Sequence, residues 1–220
     1  MPELPDFDAV IFDMDGLVLD TESTYSLVWQ QAAAAMGYDL SEPFCLSLSG
    51  LHYQAVEQKL LALCGTDFNL NGFNQLSADY WRRHVNANGI SIKKGFILLI
   101  EHLIRKKIPY GLATNSRALN AYECLELAGI KDIFTTIVTR DHVQQGKPEP
   151  DIFIEAAALL NVNISRCLVL EDSHAGIAAA ARAGAFSIFI PSLWPVEQRT
   201  ADLCGVMMHD LAQLAETLVT

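Results

Sequence analysis

The stretch Ala9-Val10-Ile11-Phe12-Asp13-Met14-Asp15-Gly16-Leu17-Val18-Leu19-Asp20-Thr21-Glu22 decides the fold. Its first four residues are apolar and largely favour β-structure, and they lead directly into two carboxylates two positions apart. An apolar run of this kind that ends in polar residues and a glycine is typical of a fully buried strand. In an open α/β sheet, ligands bind beyond the carboxyl ends of the strands. Asp13 and Asp15 are therefore predicted to lie at the mouth of a binding site.

The composition indicates a globular protein that does not bind nucleic acid or membranes. The 220 residues are 51% hydrophobic and 19% charged, and the formal net charge is −11. An acidic surface repels nucleic acid and anionic lipid, and the sequence contains no apolar run long enough to span a bilayer. A small anionic substrate is still compatible with this charge, because backbone amides, a lysine and a divalent cation can reverse the field inside a cleft.

The cysteines and the N-terminus favour a cytoplasmic protein. Five cysteines are scattered, odd in number and without C-x-x-C spacing: Cys45, Cys64, Cys124, Cys167 and Cys204. This pattern indicates neither a disulfide framework nor a zinc site. The first six residues are acidic and contain two prolines, unlike a signal peptide. We expect reduced thiols, and as the oligomeric state a monomer or weak dimer.

Strand and helix patterns alternate along most of the chain. Strands are predicted at 9–12, 110–114, 134–138, 167–171 and 186–190, with a short edge strand at 206–207. Helices are predicted at 95–107, 117–129, 152–160, 173–184 and 211–218. Strands separated by helices indicate a parallel sheet with helices on both faces and right-handed crossovers. The predicted fold class is therefore α/β, with a Rossmann-like core.

Residues 20–90 break this alternation. Helical patterns cover 21–37, 52–64 and 74–86, and residues 41–50 are predicted to be a connector because of Pro43 and Gly50. About seventy residues of helix are too many for an ordinary βα loop. We therefore expect an inserted all-α cap at 19–91 and a catalytic core formed by 1–18 and 92–220.

Three predicted strands end in polar side chains that should meet at one edge of the sheet. These are Asp13 and Asp15, Thr114 and Asn115, and Glu171 and Asp172, with Lys147 in a nearby loop. Clustered carboxylates stay ionised when they share a cation, and hard oxygen ligands select Mg²⁺ or a similar ion. The threonine hydroxyl, the asparagine amides and the lysine are donors, and donors opposite such a cluster suit a phosphate group.

The first carboxylate pair can divide the chemistry of phosphoryl transfer. One aspartate can attack phosphorus and form an aspartyl-phosphate. The other, two residues on, can protonate the leaving oxygen and then deprotonate water. Gly16 allows the backbone to turn tightly beside them.

Four segments carry a resemblance to a known family. They are, in chain order, Asp13-Met-Asp15-Gly16-Leu-Val-Leu-Asp20-Thr21, Ala113-Thr114-Asn115-Ser116, Gly146-Lys147-Pro148-Glu149-Pro150-Asp151 and Glu171-Asp172-Ser173-His-Ala-Gly176. In type and order they resemble the motifs of the haloacid dehalogenase superfamily. The likeness is to its phosphatase branch with a helical cap after the first motif, which includes β-phosphoglucomutase, phosphoglycolate phosphatase and sugar-phosphate phosphatases.

The resemblance implies a role for each matched residue. Asp13 would be the nucleophile and a Mg²⁺ ligand, and Asp15 would be the general acid/base and offer its backbone carbonyl to the metal. Thr114 and Asn115 would bind the transferring phosphoryl group, which Lys147 would neutralise while it holds the nucleophile.

The remaining matched positions concern the metal and the hinge. Asp172 would be a metal ligand, and Glu171 either a ligand or a support behind the ligands. Gly16 would contribute to phosphate binding, and the segment from Gly16 to Glu22 would form the hinge and the turn that communicates with the cap.

A phosphosugar mutase is the main alternative to a phosphatase. In that group the cap contributes a histidine soon after the first motif and an arginine after a glycine-containing loop. Here Tyr25 and Tyr53 occupy those positions, with His52 beside the second, and no arginine lies between Met1 and Trp81. This favours simple hydrolysis, and it makes Tyr25, His52 and Tyr53 the candidate specificity residues of the cap.

Two further alternatives fit less well. The dehalogenase branch lacks the second carboxylate that Asp15 supplies. A receiver-like switch that is phosphorylated without turnover would not carry a seventy-residue helical insert directly after its nucleophile. The expected activity is Mg²⁺-dependent hydrolysis of a small phosphorylated metabolite, such as a sugar phosphate or a nucleoside monophosphate.

Overall fold

The structure, a computed structural model, describes residues 4–48, 51, 53–192 and 195–219. The chain forms two compact units. One consists of Met1–Leu19 with Ser91–Thr220, here the core unit, and the other of Asp20–Ile90, here the helical unit.

The core unit contains a six-stranded parallel sheet with the order β3-β2-β1-β4-β5-β6. The strands are β1 Ala9–Phe12, β2 Tyr110–Ala113, β3 Ile137–Val138, β4 Cys167–Glu171, β5 Phe186–Phe189 and β6 Val206–Met207. The α-helices among the described residues are α1 Thr21–Ala35, α2 Glu42–Leu46, α3 Tyr53–Cys64, α4 Leu70–Asn88, α5 Phe96–Lys106, α6 Ala118–Leu127, α7 Asp151–Leu159, α8 His174–Ala183, α9 Gln198–Ala201 and α10 Leu211–Val219. The predicted Rossmann-like α/β fold is confirmed.

Strand β1 lies at the centre of the sheet and is fully buried. Its Ile11 is in register with Gly111 on one side and with Val169 on the other. This position explains the uninterrupted apolar run, because a central parallel strand is covered by helices on both faces. It also places the carboxylates that follow β1 between the ends of β2 and β4.

The predicted strand at 134–138 is too long, because only Ile137–Val138 pairs with β2. Phe134 is a buried core residue. Its ring packs edge-to-face with Phe12 and Tyr110, with ring centroids 5.8 and 5.9 Å apart. Its apolar character therefore reflects packing in the core and not strand pairing.

A tight turn follows β1. Gly16 has a φ of +83°, and its N–H donates to the carbonyl of Leu19 at 2.9 Å. Val18 and Leu19 both donate to the carbonyl of Met14, at 3.0 and 2.9 Å. The left-handed φ is what requires a glycine at this position.

The helical unit has its own core between α1, α2, α3 and α4. Helix α1 begins after Asp20, whose carboxylate accepts a hydrogen bond from the Ser23 amide at 3.4 Å, the arrangement of an N-cap. Helix α4 begins at Leu70, four residues earlier than expected, because the Asn69 side chain caps it by accepting from the Gly72 amide at 3.0 Å.

The predicted connector at 41–50 contains the short helix α2. Ser41 caps it by accepting from the Phe44 amide at 3.3 Å. Pro43 lies in the first turn, where a helix does not need the missing N–H, so the proline does not prevent a helix.

None of the helices in the described part of the chain is both long and apolar enough to cross a membrane. All five cysteines are free thiols.

Candidate active site

The carboxyl ends of β1, β2 and β4 bring the predicted polar residues to one edge of the sheet. Asp13 follows β1, and its amide donates to the carbonyl of Leu170 at 3.0 Å. Thr114 follows β2 in the same way, with its amide 3.0 Å from the carbonyl of Val138. Glu171 is the last residue of β4. Because the sheet hydrogen bonding continues to these positions, their backbones are fixed by the neighbouring strands.

Lys147 joins two of these strand ends. It is buried, and its ammonium forms ion pairs with Asp13 and with Glu171, the second at 2.6 Å. It also donates to the carbonyl of Ala113 at 2.9 Å and lies 4.9 Å from the centre of the Phe153 ring. All three donors of the ammonium are therefore used inside the site.

Asn115 holds the backbone of Lys147 in place. Its side-chain amide donates to the Lys147 carbonyl at 3.0 Å, and its side-chain oxygen accepts from the Lys147 amide at 2.8 Å. A Cβ at the preceding Gly146 would collide with the side chains of Asn115 and Arg140. The Asn115 side chain is thus engaged with protein, and its backbone N–H has no protein partner in the described ranges.

Glu171 is completely buried and uses both of its carboxylate oxygens. Oε1 pairs with Lys147, and Oε2 accepts from the amides of Asp172 and Ser173, both at 3.1 Å, and from the Ser173 hydroxyl at 2.9 Å. The Ser173 hydroxyl also accepts from the amide of Gly176 at 3.1 Å and so caps α8. The sequence left Glu171 as either a metal ligand or a support, and these contacts favour the support.

Negative charge is in excess at this edge. Asp13, Glu171 and Asp172 each place an oxygen within 4.8 Å of the others. Burial raises the pKa of Asp13 above its ordinary value; Lys147 opposes this shift, while Glu171 and Asp15 add to it. Burial alone would lower the pKa of Lys147, but the adjacent Asp13 and Glu171 carboxylates outweigh it and raise that pKa.

This donor set fits a hard divalent cation. One buried lysine faces a cluster of carboxylates, and oxygen ligands of this kind suit Mg²⁺. Asp172 is itself oriented by a neighbour, because the Ser192 hydroxyl donates to its Oδ2 at 2.8 Å.

One oxygen of the Asp15 carboxyl accepts hydrogen bonds from two hydroxyl groups. Its Oδ2 accepts from the Ser116 hydroxyl at 2.8 Å and from the Thr114 hydroxyl at 3.4 Å. The Thr114 oxygen also accepts from the Ser116 amide at 3.0 Å. Sequence reasoning missed both Ser116 and Ser192 as contacts of the site carboxylates. The only signal for Ser116 was its place directly after Thr114 and Asn115.

For Gly16 and those predicted cap residues that the structure describes, it shows local contacts but no part in a binding site. The N–H of Gly16 is used within the turn, so its part in phosphate binding stays a prediction. Tyr25 is 38% exposed and lies against Trp29 and Trp81 of the same unit, with ring centroids 5.8 and 6.2 Å away. Tyr53 begins α3, but its side chain and all of His52 lie outside the described residues.

Known proteins resemble this chain over nearly its whole length. A family model described as haloacid dehalogenase-like hydrolase matches residues 10–190. A β-phosphoglucomutase of Bacillus subtilis is 29% identical over 214 residues, which are 92% of this chain and 94% of that protein. A fructose-1-phosphate phosphatase of Escherichia coli is 28% identical over 178 residues, 81% of this chain and 93% of the relative.

Solved structures agree with the sequence relatives. A putative β-phosphoglucomutase from Thermotoga maritima superposes with a TM-score of 0.81 at 25% identity, covering 96% of this chain and 98% of that one. The family model spans the strand-end residues that lie at one edge of the parallel sheet. The protein therefore belongs to the haloacid dehalogenase-like hydrolases.

Proposed function

We propose that this protein is a Mg²⁺-dependent phosphatase that hydrolyses a small phosphomonoester through an aspartyl-phosphate on Asp13. The observation that carries the proposal is the ammonium of Lys147, which lies between Asp13 and Glu171 in an otherwise acidic site. A nucleophilic carboxylate beside a fixed cation suits attack on an anionic phosphoryl group.

In the first step a carboxylate oxygen of Asp13 attacks phosphorus. The bond from phosphorus to the leaving oxygen breaks, and its electron pair goes to that oxygen. The protonated Asp15 carboxyl gives the leaving oxygen its proton, so an alcohol departs. Asp13 then carries the phosphoryl group, and Asp15 is a carboxylate.

In the second step water attacks the phosphorus of the aspartyl-phosphate. Asp15 takes the proton from that water as a general base. The bond from Asp13 to phosphorus breaks, which frees inorganic phosphate and restores the Asp13 carboxylate. Asp15 ends protonated, ready for the next substrate.

The remaining residues bind and orient. Lys147 neutralises phosphoryl charge and fixes Asp13, and Asn115 supports Lys147 through its two backbone contacts. Thr114 would turn its hydroxyl from Asp15, to which it makes only a long 3.4 Å contact, to the phosphoryl group. Glu171 holds the lysine and caps the entry to α8 through Ser173.

Asp13, Asp172 and the backbone carbonyl of Asp15 would hold Mg²⁺. When bound, the ion would neutralise charge on the phosphoryl oxygens. Ser192 would orient Asp172 toward it.

The helical unit is proposed to act as a cap. Its closure would exclude bulk water during transfer, and its opening would release the product. Selectivity would then depend on the cap residues Tyr25, His52 and Tyr53. The named relatives suggest a sugar phosphate as substrate, since they include a fructose-1-phosphate phosphatase and a hexitol phosphatase.

The mutase is the second candidate, favoured by the likeness to the Bacillus subtilis protein along 92% of the chain. Against it stands the absence of any arginine before Arg82, so that no arginine closely follows the glycine-containing loop near Gly50, where the mutases carry one.

A screen of phosphorylated metabolites with Mg²⁺, read as released phosphate, tests the proposal. We expect steady turnover of at least one sugar phosphate. Isomerised β-glucose 1-phosphate in the presence of glucose 1,6-bisphosphate, without net phosphate release, would establish the mutase instead. Stoichiometric phosphorylation without turnover would indicate a receiver-like switch.

A further inference from the structure

The geometry points to Ser116 as a positioning residue that holds the Asp15 carboxyl in the orientation needed for proton transfer to the leaving group. This inference rests on the proposed phosphatase function. It concerns a serine to which the motif resemblance gave no role.

The Ser116 hydroxyl makes the shorter of the two contacts on Asp15. It lies 2.8 Å from Oδ2, whereas the Thr114 hydroxyl lies 3.4 Å away. A distance of 2.8 Å is ordinary for an O–H···O hydrogen bond, and 3.4 Å is long for one. Ser116 therefore makes the better formed of the two hydrogen bonds that orient this carboxyl.

The backbone of Ser116 is fixed on both sides. Its amide donates to the Thr114 hydroxyl oxygen at 3.0 Å, and its carbonyl accepts from the Arg140 amide at 3.0 Å. The first bond lies within the segment that follows β2 and the second ties it to the segment that follows β3, so the backbone that presents the hydroxyl to Asp15 is held from two sides. Such support is what keeps a catalytic group in a productive geometry.

The contact also distinguishes the two oxygens of the Asp15 carboxyl. Both hydroxyls donate to Oδ2, and Oδ1 of Asp15 has no hydrogen-bond partner across the described ranges. With Oδ2 held by the two hydroxyls, Oδ1 is the oxygen left to reach the leaving oxygen in the first step and the water in the second.

A positioning role predicts an effect that depends on the leaving group. An alkoxide needs a proton as it departs, whereas a nitrophenolate does not. Loss of the Ser116 hydroxyl should therefore reduce kcat/KM for an alkyl phosphate by about 10- to 100-fold, the size of effect that misplacement of a reacting group produces. The kcat/KM for p-nitrophenyl phosphate should change little.

With p-nitrophenyl phosphate, kcat and KM of the same variant should fall by the same factor. Asp15 is still needed as a base in hydrolysis of the aspartyl-phosphate, so the second step slows while the first does not. A merely structural defect would lower kcat/KM for both substrates alike.

The experiment compares Ser116→Ala with wild type on fructose 1-phosphate and on p-nitrophenyl phosphate, both with Mg²⁺. Ser192→Ala is the matched control, because it removes another 2.8 Å serine-to-aspartate hydrogen bond, the one on Asp172. We expect that control to affect both substrates by the same factor. Ser116→Thr and Ser116→Val form a second pair of equal size that differs in the hydroxyl, and only the threonine variant should keep the wild-type ratio of the two kcat/KM values.

An equal loss on both substrates in Ser116→Ala, or a valine variant with the wild-type ratio, would overturn the role of Ser116 and leave the phosphatase intact. A wild-type protein that hydrolyses neither phosphate would overturn the proposed function and the role of Ser116 with it.

Discussion

Replacing Gly176 with alanine should destabilise the core unit, although the same change in an ordinary helix stabilises it. Gly176 lies in the first turn of α8, and a Cβ there would come well below 3.0 Å from the carboxylate of Glu171. Glu171 is completely buried and bound to Lys147, so neither carboxylate nor helix can move without breaking a contact. The glycine is therefore required by its neighbour and not by its backbone conformation.

The loss of stability in Gly176→Ala depends on whether the core is overpacked or the Glu171–Lys147 ion pair is broken. Overpacking a well-filled core costs about 1–3 kcal/mol, and breaking one side of a buried ion pair costs about 3–5 kcal/mol. An ordinary exposed Gly→Ala change in a helix contributes about 0.5–1 kcal/mol in the opposite direction. We expect the free energy of unfolding to fall by about 2–5 kcal/mol, and a loss of 3 kcal/mol to lower Tm by roughly 6–12 °C.

The assay is denaturant unfolding followed by circular dichroism, together with the Tm and kcat/KM. Ala178→Gly in the same helix is the matched control, because it should cost only about 0.5–1 kcal/mol and leave Glu171 in place. Activity should fall with stability in Gly176→Ala, since the displaced carboxylate no longer holds Lys147. A variant as stable as wild type, or more stable, would refute the packing argument.

Three further predictions test other parts of the account. Removal of divalent cations should abolish turnover and lower Tm, and Mg²⁺ should restore both, because the ion relieves repulsion among the carboxylates; activity that survives a chelator would contradict this. Asn115→Ala should lower the free energy of unfolding by about 1–3 kcal/mol and reduce kcat/KM, because Lys147 is held less firmly. A folded variant with the wild-type kcat/KM would show that Asn115 does not support Lys147. In the folded protein Cys45, Cys124 and Cys167 should resist a thiol reagent at neutral pH, because burial raises their pKa values to about 11, 12 and 11, and all five thiols should react after denaturation.

The sequence alone predicted the parts of the molecule that depend on local pattern. The apolar run of β1 and the polar residues after β1, β2 and β4 were enough to infer a parallel sheet with Asp13, Thr114 and Glu171 at one edge. The family followed from four ordered motifs, and the match over residues 10–190 confirms it.

Contacts between distant loops could not be read from the sequence. The sequence predicted the Asn115 amides to be phosphate donors, and nothing in it indicated that the side-chain amide binds the backbone of Lys147, thirty-two residues away. Ser192 reaches Asp172 from the loop after β5. Such pairs depend on loop geometry that no local periodicity encodes. The strand predicted at 134–138 was too long for a similar reason. Phe134 is apolar, as a strand residue would be, but it packs in the core.

Trapping the covalent intermediate tests the central claim most directly. The enzyme is mixed with substrate and Mg²⁺, quenched, and treated with borohydride, which reduces an acyl phosphate to an alcohol, before peptide mass spectrometry. We expect homoserine at position 13 in wild type and no reduced residue in Asp13→Asn, which should fold normally but lack turnover. Reduction at another residue, or phosphatase activity retained by Asp13→Asn, would contradict it.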